Sequence, residues 1–320
     1  MKQKLALLIL GCTLIITCSS WGFFAHKRIN RTAVFTLPKG MAAFYSANID
    51  YITEHAVDPD KRRYVDSTEA PRHFFDADHY GKHPFTRMPQ RWEEAERQYS
   101  ADSLDKYGTV PWAIQYQYYQ LVKAFKGNDT AAILKTSANL GHYIADACVP
   151  LHLTQNYNGQ LTNQTGIHAL WETRIPELMA DGYHYNVGKA RYINDPLKEA
   201  WKICHRTFNC VDSVLLFEKR LDKTFTADQK YAITKRGNRS VKDYSAAYAM
   251  GYSKSMHGMV ERQMRISILE VGSYWFSAWV DAGQPDLNKL IDKNINTTAL
   301  AQANKEKQLY KLGKVMPKSN

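Results

Sequence analysis

Two pairs of metal-binding residue types stand at helical spacing in the middle of the chain. His142 and Asp146 are four residues apart in the segment HYIADACVPLH, and His168 and Glu172 are four residues apart in HALWE. Residues at positions i and i+4 lie on one face of an α-helix, one turn above each other. Imidazole and carboxylate groups that converge from helical faces are typical zinc ligands. The spacing therefore predicts a metal site between two helices.

A proline and a further histidine lie between the two pairs. Pro150 should end the first helix, because it has no N–H group and its ring clashes with the preceding turn. His152 would then stand just beyond the helix end, where it can turn back toward the first pair. The polar loop 154–166 separates these residues from the second pair, so we expect it to form one rim of a cleft. A buried histidine taken alone is more often a hydrogen-bonded core residue than a metal ligand.

These motifs resemble those of a known family. HYIADACVPLH followed by HALWE is similar to the metal-binding core of the zinc-dependent phospholipase C and single-strand-specific zinc nuclease superfamily. The resemblance covers nearly the whole chain after the first residues. It implies an all-α fold, a trinuclear zinc cleft and hydrolysis of a phosphodiester. It also implies that residues elsewhere in the chain complete the site.

The first twenty residues have the composition of a secretory signal peptide. MKQK is positively charged, Leu5 to Ile16 is an apolar run too short to cross a bilayer, and small residues follow. We predict a signal peptide over residues 1–20 with cleavage after Ser20, so the protein would be secreted or periplasmic. The alternative is a lipoprotein signal ending at Cys12, although its apolar core would be very short.

Cleavage after Ser20 would make Trp21 the new N-terminus. In the family that the chain resembles, a terminal Trp binds zinc through its amino nitrogen and carbonyl oxygen, and a His follows shortly after. Trp21 and His26 match that pattern. A deprotonated α-amine is a suitable nitrogen donor for zinc. Without the resemblance, Trp21 would be interpreted as a buried aromatic residue at the start of a helix.

A polar, proline-containing stretch after residue 55 contains the next candidates. HFFDAD resembles the family segment with a ligating histidine, which indicates His73. The family also has an Asp about fifteen residues earlier that binds the same metal or acts as a general base. Asp58 matches that position best, and Asp60 is the alternative. The sequence Asp58-Pro59-Asp60 could instead form a simple Asx turn.

The chain is basic, with a formal net charge of +11, of which Lys2 and Lys4 would be lost with the signal peptide. This charge favours anionic partners such as nucleic acid or acidic lipid head groups, without choosing between them. Lys61, Arg62, Arg63 and Arg72 form a basic cluster beside the predicted site. These side chains could hold a phosphate or could only pair with neighbouring acids.

The remaining sequence predicts a single all-α domain, a multi-helix bundle. Its apolar fraction of 44% is that of an ordinary globular protein, and neither an internal repeat nor an alternating strand pattern is evident. We assign 21–290 to the catalytic domain and 291–320 to a polar C-terminal tail. Three cysteines lie beyond residue 20, an odd number that cannot form a complete disulfide framework. Whether Cys204 and Cys210 pair is left open by the sequence.

The resemblance, applied position by position, implies three zinc ions in one cleft. Asp146 would bridge two of them with its carboxylate. The implied ligands are Asp58, His73, His142 and Asp146 for the first ion, Trp21, His26 and Asp146 for the second, and His152, His168 and Glu172 for the third. Asp58 could also serve as a general base.

Three functions are compatible with these observations. The first is a phospholipase C-like phosphodiesterase that attacks phospholipid head groups at a membrane surface. Glu172 favours it, because the phospholipases have Glu where the nucleases have Asp. The second is a single-strand-specific nuclease, favoured by the close spacing of Trp21 and His26. The third is a non-enzymatic helical protein with structural zinc, although such sites are usually closed and rich in cysteine. No protein partner is predicted.

Overall fold

The computed structural model describes residues 23–236, 239–291 and 297–316. The predicted signal peptide and Trp21 therefore lie outside the described residues. The α-helices are α1 (Phe23–Ala33), α2 (Lys39–Ala47), α3 (Ile49–Glu54), α4 (Asp58–Arg62), α5 (Pro84–Arg87), α6 (Trp92–Tyr99), α7 (Ala101–Tyr107), α8 (Val110–Lys126), α9 (Thr130–Ala147), α10 (Ile167–Ala169), α11 (Ile175–Met179), α12 (Pro196–Phe208), α13 (Val211–Asp222), α14 (Ala227–Lys230), α15 (Ala246–Ser255), α16 (Met259–Asp281) and α17 (Thr297–Lys311). A π-helical turn (Leu170–Arg174) joins α10 to α11.

Short 3₁₀ turns connect several of these helices. They are Val34–Thr36, His55–Val57, Ala70–His73, Ala77–Tyr80, Pro150–Leu153, Ala180–Gly182 and Leu287–Leu290. Helices dominate the described residues, so the prediction of an all-α single domain is confirmed. None of the helices within the described ranges is long and apolar enough to cross a membrane.

Helix α9 occupies the centre of the fold. Asp129 caps its N-terminus by accepting a hydrogen bond from the Ala132 amide, and every residue from Ser137 to Ala147 is buried. It packs against α8, α1 and α16. A helix buried on all sides must find partners for its polar groups inside the protein. Because His142 and Asp146 lie on the buried part of α9, both side chains are in the interior of the protein.

A glycine allows α1 to approach α9 closely. A Cβ atom at Gly141 would lie 2.1 Å from the Asn30 Oδ1 atom, a distance that real side chains do not adopt. With glycine there, Asn30 donates a hydrogen bond to the Ala138 carbonyl. The close approach brings the ring of His26 onto the ring of His142, with centroids 4.0 Å apart. A candidate ligand from the first helix, His26, thus reaches the centre of the fold.

A β-hairpin near residue 237 is the main departure from the predicted helices. Strands β1 (Tyr231–Arg236) and β2 (Arg239–Tyr244) pair antiparallel, with Tyr231 opposite Tyr244. At its base, the Tyr244 ring stacks on Tyr248 and its hydroxyl donates to the Thr165 carbonyl at 3.3 Å. The hairpin base therefore holds the end of the loop that precedes α10.

The C-terminal segment is more ordered than the weakly packed tail that its composition predicts. Ala303, Glu306 and Tyr310 of α17 are buried, at the spacing of one helical face. The Glu306 carboxylate accepts two hydrogen bonds from the Arg31 guanidinium, at 2.7 Å each. A partly buried ion pair therefore forms part of the contact between this segment and α1.

Candidate metal centre

The candidate ligands come from segments that are far apart in the chain. They are His26 on α1, Asp60 on α4, His73 in the 3₁₀ turn Ala70–His73, His142 and Asp146 on α9, His152 in the 3₁₀ turn Pro150–Leu153, and His168 and Glu172 on α10 and the π-helical turn. Their donor atoms form adjoining groups that could hold metal ions, and these eight residues together are called the cluster.

The first group lies between α4, α9 and the turn that contains His73. His73 Nδ1 is 2.9 Å from Asp146 Oδ2 and 3.0 Å from His142 Nε2. Asp60 Oδ1 lies 3.7 Å from His73 Nδ1 and 3.8 Å from His142 Nε2. Two imidazole nitrogens aimed at one point repel each other unless a proton or a cation lies between them. The geometry of this group is therefore compatible with a bound metal ion.

Asp60, not Asp58, is the aspartate that the structure brings to this group. The Asp58 carboxylate accepts hydrogen bonds from His55 Nδ1 at 2.5 Å and from Lys61 Nζ at 3.0 Å. Those contacts lower the pKa of Asp58, although its partial burial acts in the opposite direction. The carboxylate of Asp58 thus pairs with His55 and Lys61 near the surface. Asp60, the alternative to Asp58 in the sequence analysis, lies beside the candidate ligands of the first group.

Asp146 faces two groups with its two oxygens, the first group and a second one that consists of His26, His142 and Asp146 itself. Oδ2 lies beside His73 and His142, whereas Oδ1 is 3.3 Å from His26 Nε2. This is the placement that a bridging carboxylate requires. His26 Nε2 is also 3.3 Å from Glu172 Oε1, so His26 touches the third group as well. The remaining two donors implied for the second ion, the amino nitrogen and carbonyl oxygen of Trp21, belong to a residue outside the described ranges.

The third group consists of His152, His168 and Glu172. Glu172 Oε2 lies 2.7 Å from His168 Nε2 and 3.3 Å from His152 Nε2. Glu172 lies in the π-helical turn that precedes Pro176. Proline has no N–H to donate to the carbonyl of residue 172, which accounts for the wider turn at this point. The predicted pair at i and i+4 thus meets on one face even though the helix is distorted.

Backbone carbonyls orient three of the imidazoles. In each case Nδ1 is directed at a carbonyl oxygen, to which it can donate its proton. The unprotonated Nε2 then faces the cluster with a lone pair that could bind a metal ion. The contacts are His142 to Ala56 (2.8 Å), His152 to His73 (2.6 Å) and His168 to Tyr157 (3.2 Å). Rings held in this way are preorganised as metal ligands.

Sequence reasoning did not identify Glu69. Its carboxylate is fully buried and lies 3.4 Å from His73 Nε2, on the side of the ring opposite the cluster. Burial alone would raise the pKa of Glu69, but contacts from His73, Tyr143 and Arg62 lower it to about 2. Glu69 is four residues before His73, the same spacing as in the two pairs that were identified. This spacing is the sequence feature that could have indicated a contact between Glu69 and His73.

The cluster is buried in the middle and reaches solvent at its two ends. The Asp60 side chain is 23% exposed and the His168 side chain 24% exposed, whereas His26, His142 and Asp146 are almost fully buried. A small molecule could therefore approach the donors from the Asp60 end or from the His168 end.

The charges in the cluster are strongly coupled. Burial lowers the pKa of His142 and His152, but the carboxylates beside them outweigh burial and raise each pKa to about 9. Burial raises the pKa of Asp146 and Glu172, but the imidazoles outweigh it and hold both pKa values well below the usual range. The metal-free protein therefore keeps protons on at least two imidazoles at neutral pH.

Zinc affinity should consequently rise steeply with pH. Ligation requires neutral imidazole, so one proton must leave His142 when the first group binds an ion, and one must leave His152 when the third group binds an ion. Between pH 6 and 8, below the raised pKa values, the logarithm of the apparent affinity of each group should increase by about 1 per pH unit. Zinc titration against a competing chelator at several pH values measures this slope. His152→Gln should remove most of the slope at the third group, and an affinity that does not change with pH would contradict the assignment.

The donor set fits zinc. Two donors that are each bound at about 2.0–2.1 Å to a tetrahedral ion lie roughly 3.3 Å apart. Contacts within the groups range from 2.7 Å for His168–Glu172 to 3.8 Å for Asp60–His142, which brackets that value. Imidazole and carboxylate are ligands that zinc accepts, and no cysteine belongs to these groups among the described residues.

The cysteines of the described chain lie outside the cluster. Cys148, Cys204 and Cys210 carry free thiols. Burial raises the pKa of Cys148 to about 11 and also raises that of Cys204. Neither buried thiol is therefore a thiolate nucleophile at neutral pH.

Comparison of the sequence with models of known protein families gives no match, and comparison with curated proteins gives none.

Proposed function

We propose that this protein is a secreted or periplasmic zinc-dependent phosphodiester hydrolase that acts on phospholipid head groups. The observation that supports it most is the convergence of five imidazoles and three carboxylates into adjoining groups. An arrangement of buried charges without an ion would be a poor source of stability, because desolvation opposes it. The two solvent-exposed ends favour a catalytic centre over structural zinc, whose sites are usually closed.

The chain's own residues have distinct tasks in this proposal. The first group (Asp60, His73, His142, Asp146) and the third group (His152, His168, Glu172) would each hold an ion, and Asp146 would join the first to a second ion beside His26. When bound, zinc would lower the pKa of a water molecule and offset the negative charge of a phosphodiester.

The Asp60 end has the charges that a phosphate ester would meet. Asp60 is partly exposed and takes over the role first considered for Asp58, that of accepting a proton from the attacking water. Arg63 Nη1 lies 3.7 Å from Asp60 Oδ1 and its side chain is half-exposed. Lys61 is exposed beside Asp58. These cations would attract an anionic substrate to this end of the cluster.

Exposed apolar side chains near both ends favour a lipid surface. Tyr64 (54% exposed) and Val65 (87% exposed) follow α4 and Asp60 closely in the chain. Tyr157 and Leu161 are exposed in the loop beside His168, and the ring of Tyr157 lies 6.2 Å from that of His168. Apolar side chains combined with basic residues can bind the interface of an anionic bilayer.

Removing the apolar pair near Asp60 should impair action on membranes selectively. We expect Tyr64→Ser combined with Val65→Ser to lower turnover of phosphatidylcholine in vesicles about tenfold, through lost interfacial burial. Turnover of a soluble short-chain phosphatidylcholine should change less than about twofold. Tyr116→Ser is the matched control, because Tyr116 is 58% exposed on α8, away from the ligands in the chain. Equal losses on both substrates would contradict an interfacial role.

A nuclease of the same superfamily is the second candidate. The exposed Tyr157 ring beside His168 could stack on a base, and such stacking is sequence-tolerant in single-strand binding. The basic net charge also suits a polyanion.

The proposed substrate is tested by assaying phosphatidylcholine and single-stranded DNA side by side with the zinc-loaded protein. We expect phosphatidylcholine to be hydrolysed faster. Cleavage of DNA should fall log-linearly with salt if several phosphates are contacted, whereas turnover of a soluble zwitterionic lipid should barely respond. Ready cleavage of DNA with no action on phosphatidylcholine would replace the phospholipase proposal by the nuclease one.

A further inference from the structure

We propose that Glu69 is a positioning residue that determines which nitrogen of His73 binds the metal. The inference rests on the metal centre proposed above. His73 differs from the three histidines that are oriented by carbonyl groups, because it presents Nδ1 to the cluster rather than Nε2. For Nδ1 to be the ligand, the ring proton must reside on Nε2. A group that favours a proton at Nε2 therefore selects the ligating atom.

Glu69 is the group placed to do this. Its Oε1 atom lies 3.4 Å from His73 Nε2, and both side chains are buried. At 3.4 Å this contact is looser than a complete hydrogen bond, and His73 Nε2 has no hydrogen-bond partner among the described residues. A buried N–H group would otherwise lack an acceptor, which costs free energy. The carboxylate thus favours the tautomer with the proton on Nε2.

The position of Glu69 is itself fixed by several donors. Arg62 contacts both carboxylate oxygens through Nε and Nη2, at 3.3 Å each, and Arg72 Nη1 lies 3.3 Å from Oε2. The Tyr143 hydroxyl donates a short hydrogen bond to Oε1. Two guanidinium groups offset the buried charge, so the carboxylate remains ionised and in place.

These contacts connect the elements that form the first group. Arg62 belongs to α4, the helix of Asp60, and Tyr143 follows His142 on α9. The ring of Tyr143 meets the ring of His73 edge-on, with centroids 5.4 Å apart, and so limits rotation of the imidazole. Glu69 therefore links the orientation of His73 to the two helices that supply the other ligands.

The test compares Glu69→Gln with Glu270→Gln in the full chain. Glu270 is the matched control, because it is buried and, among the described residues, forms its ion pairs with Arg191 at 3.0 Å and Arg206 at 3.9 Å rather than with a candidate ligand. Zinc titration against a chelator should show a loss of about 10–100-fold in affinity at one site for Glu69→Gln. Glu270→Gln should bind zinc within about twofold of the wild type.

A second measurement follows the tautomer directly. In zinc-loaded protein with ¹⁵N-labelled histidine, the wild type should show the His73 proton on Nε2, assigned by comparison with His73→Gln. Glu69→Gln should weaken or lose this preference. A residue that only stabilised the fold would lower the thermal unfolding temperature of the metal-free protein without changing the tautomer or the metal affinity.

The outcomes separate the two proposals. If the wild type binds zinc and Glu69→Gln binds it equally well with the same tautomer, the role of Glu69 is wrong and the metal centre stands. If the wild type does not bind zinc, both proposals are wrong. Should Glu69→Gln fail to fold, Tyr143→Phe removes one donor to the carboxylate and should still weaken zinc binding severalfold; unchanged binding would overturn the inference.

Discussion

Asp146→Asn is expected to remove more than one of about three zinc ions and to lower phosphodiesterase activity at least about a hundredfold. The Asp146 carboxylate faces His26 with one oxygen and His73 and His142 with the other. An amide has a similar shape but neither the negative charge nor a second oxygen donor. Two groups would therefore lose a ligand from a single substitution. Elemental analysis and the phosphatidylcholine assay measure the result.

The same helix provides a control for this variant. Asp129→Asn introduces the same substitution at the N-cap of α9, where asparagine caps about as well as aspartate. It should retain both zinc and activity. Glu172→Ala should chiefly empty the third group, because the Glu172 carboxylate lies beside His152, His168 and His26. One tightly held ion in every variant would instead support structural zinc.

Asp60→Asn is expected to lose the ion of the first group together with most of the activity, at least about a hundredfold. Asp58→Asn, two residues earlier, should retain the metal and change activity only a few-fold. The reason is geometric: Asp60 lies 3.7 Å from His73 Nδ1, whereas Asp58 pairs with His55 and Lys61. Zinc content and turnover of the two purified variants decide between them.

Each of these two variants serves as the control for the other, since both replace an aspartate by its amide within one short helix. Circular dichroism would verify that both are folded. If Asp58→Asn lost the metal while Asp60→Asn kept it, the arrangement of the first group described above would be wrong. Loss of metal in both would indicate that α4 as a whole is required for binding.

The sequence was sufficient to predict which side chains lie together wherever both belong to one helix. His142 and Asp146, and likewise His168 and Glu172, lie on common faces because four residues complete about one turn. The all-α class also followed from the residues and from the resemblance to a known family. Helix α9 ends at Ala147, shortly before Pro150, and His152 lies in the 3₁₀ turn that Pro150 begins, beside His73.

Sequence patterns did not predict the ordered C-terminal helix or the β-hairpin. Helix α17 is stabilised in part by the ion pair between Glu306 and Arg31. The polar sequence around Glu306 does not indicate that this residue pairs with an arginine near the other end of the chain. The base of the hairpin is held by stacking of Tyr244 on Tyr248 and by a contact with Thr165. Both elements depend on residues distant in the chain.

The choice between Asp58 and Asp60 shows what only the tertiary structure decides. Two residues span about 200° around an α-helix, so the two carboxylates leave α4 in nearly opposite directions. Which one faces the cluster depends on the rotation of α4 against α9, fixed by packing and by contacts such as that of Arg62 with Tyr143. The close approach of α1 at Gly141 similarly brings His26 to His142. Spacing specifies which side chains share a face, whereas packing between distant segments specifies which faces meet.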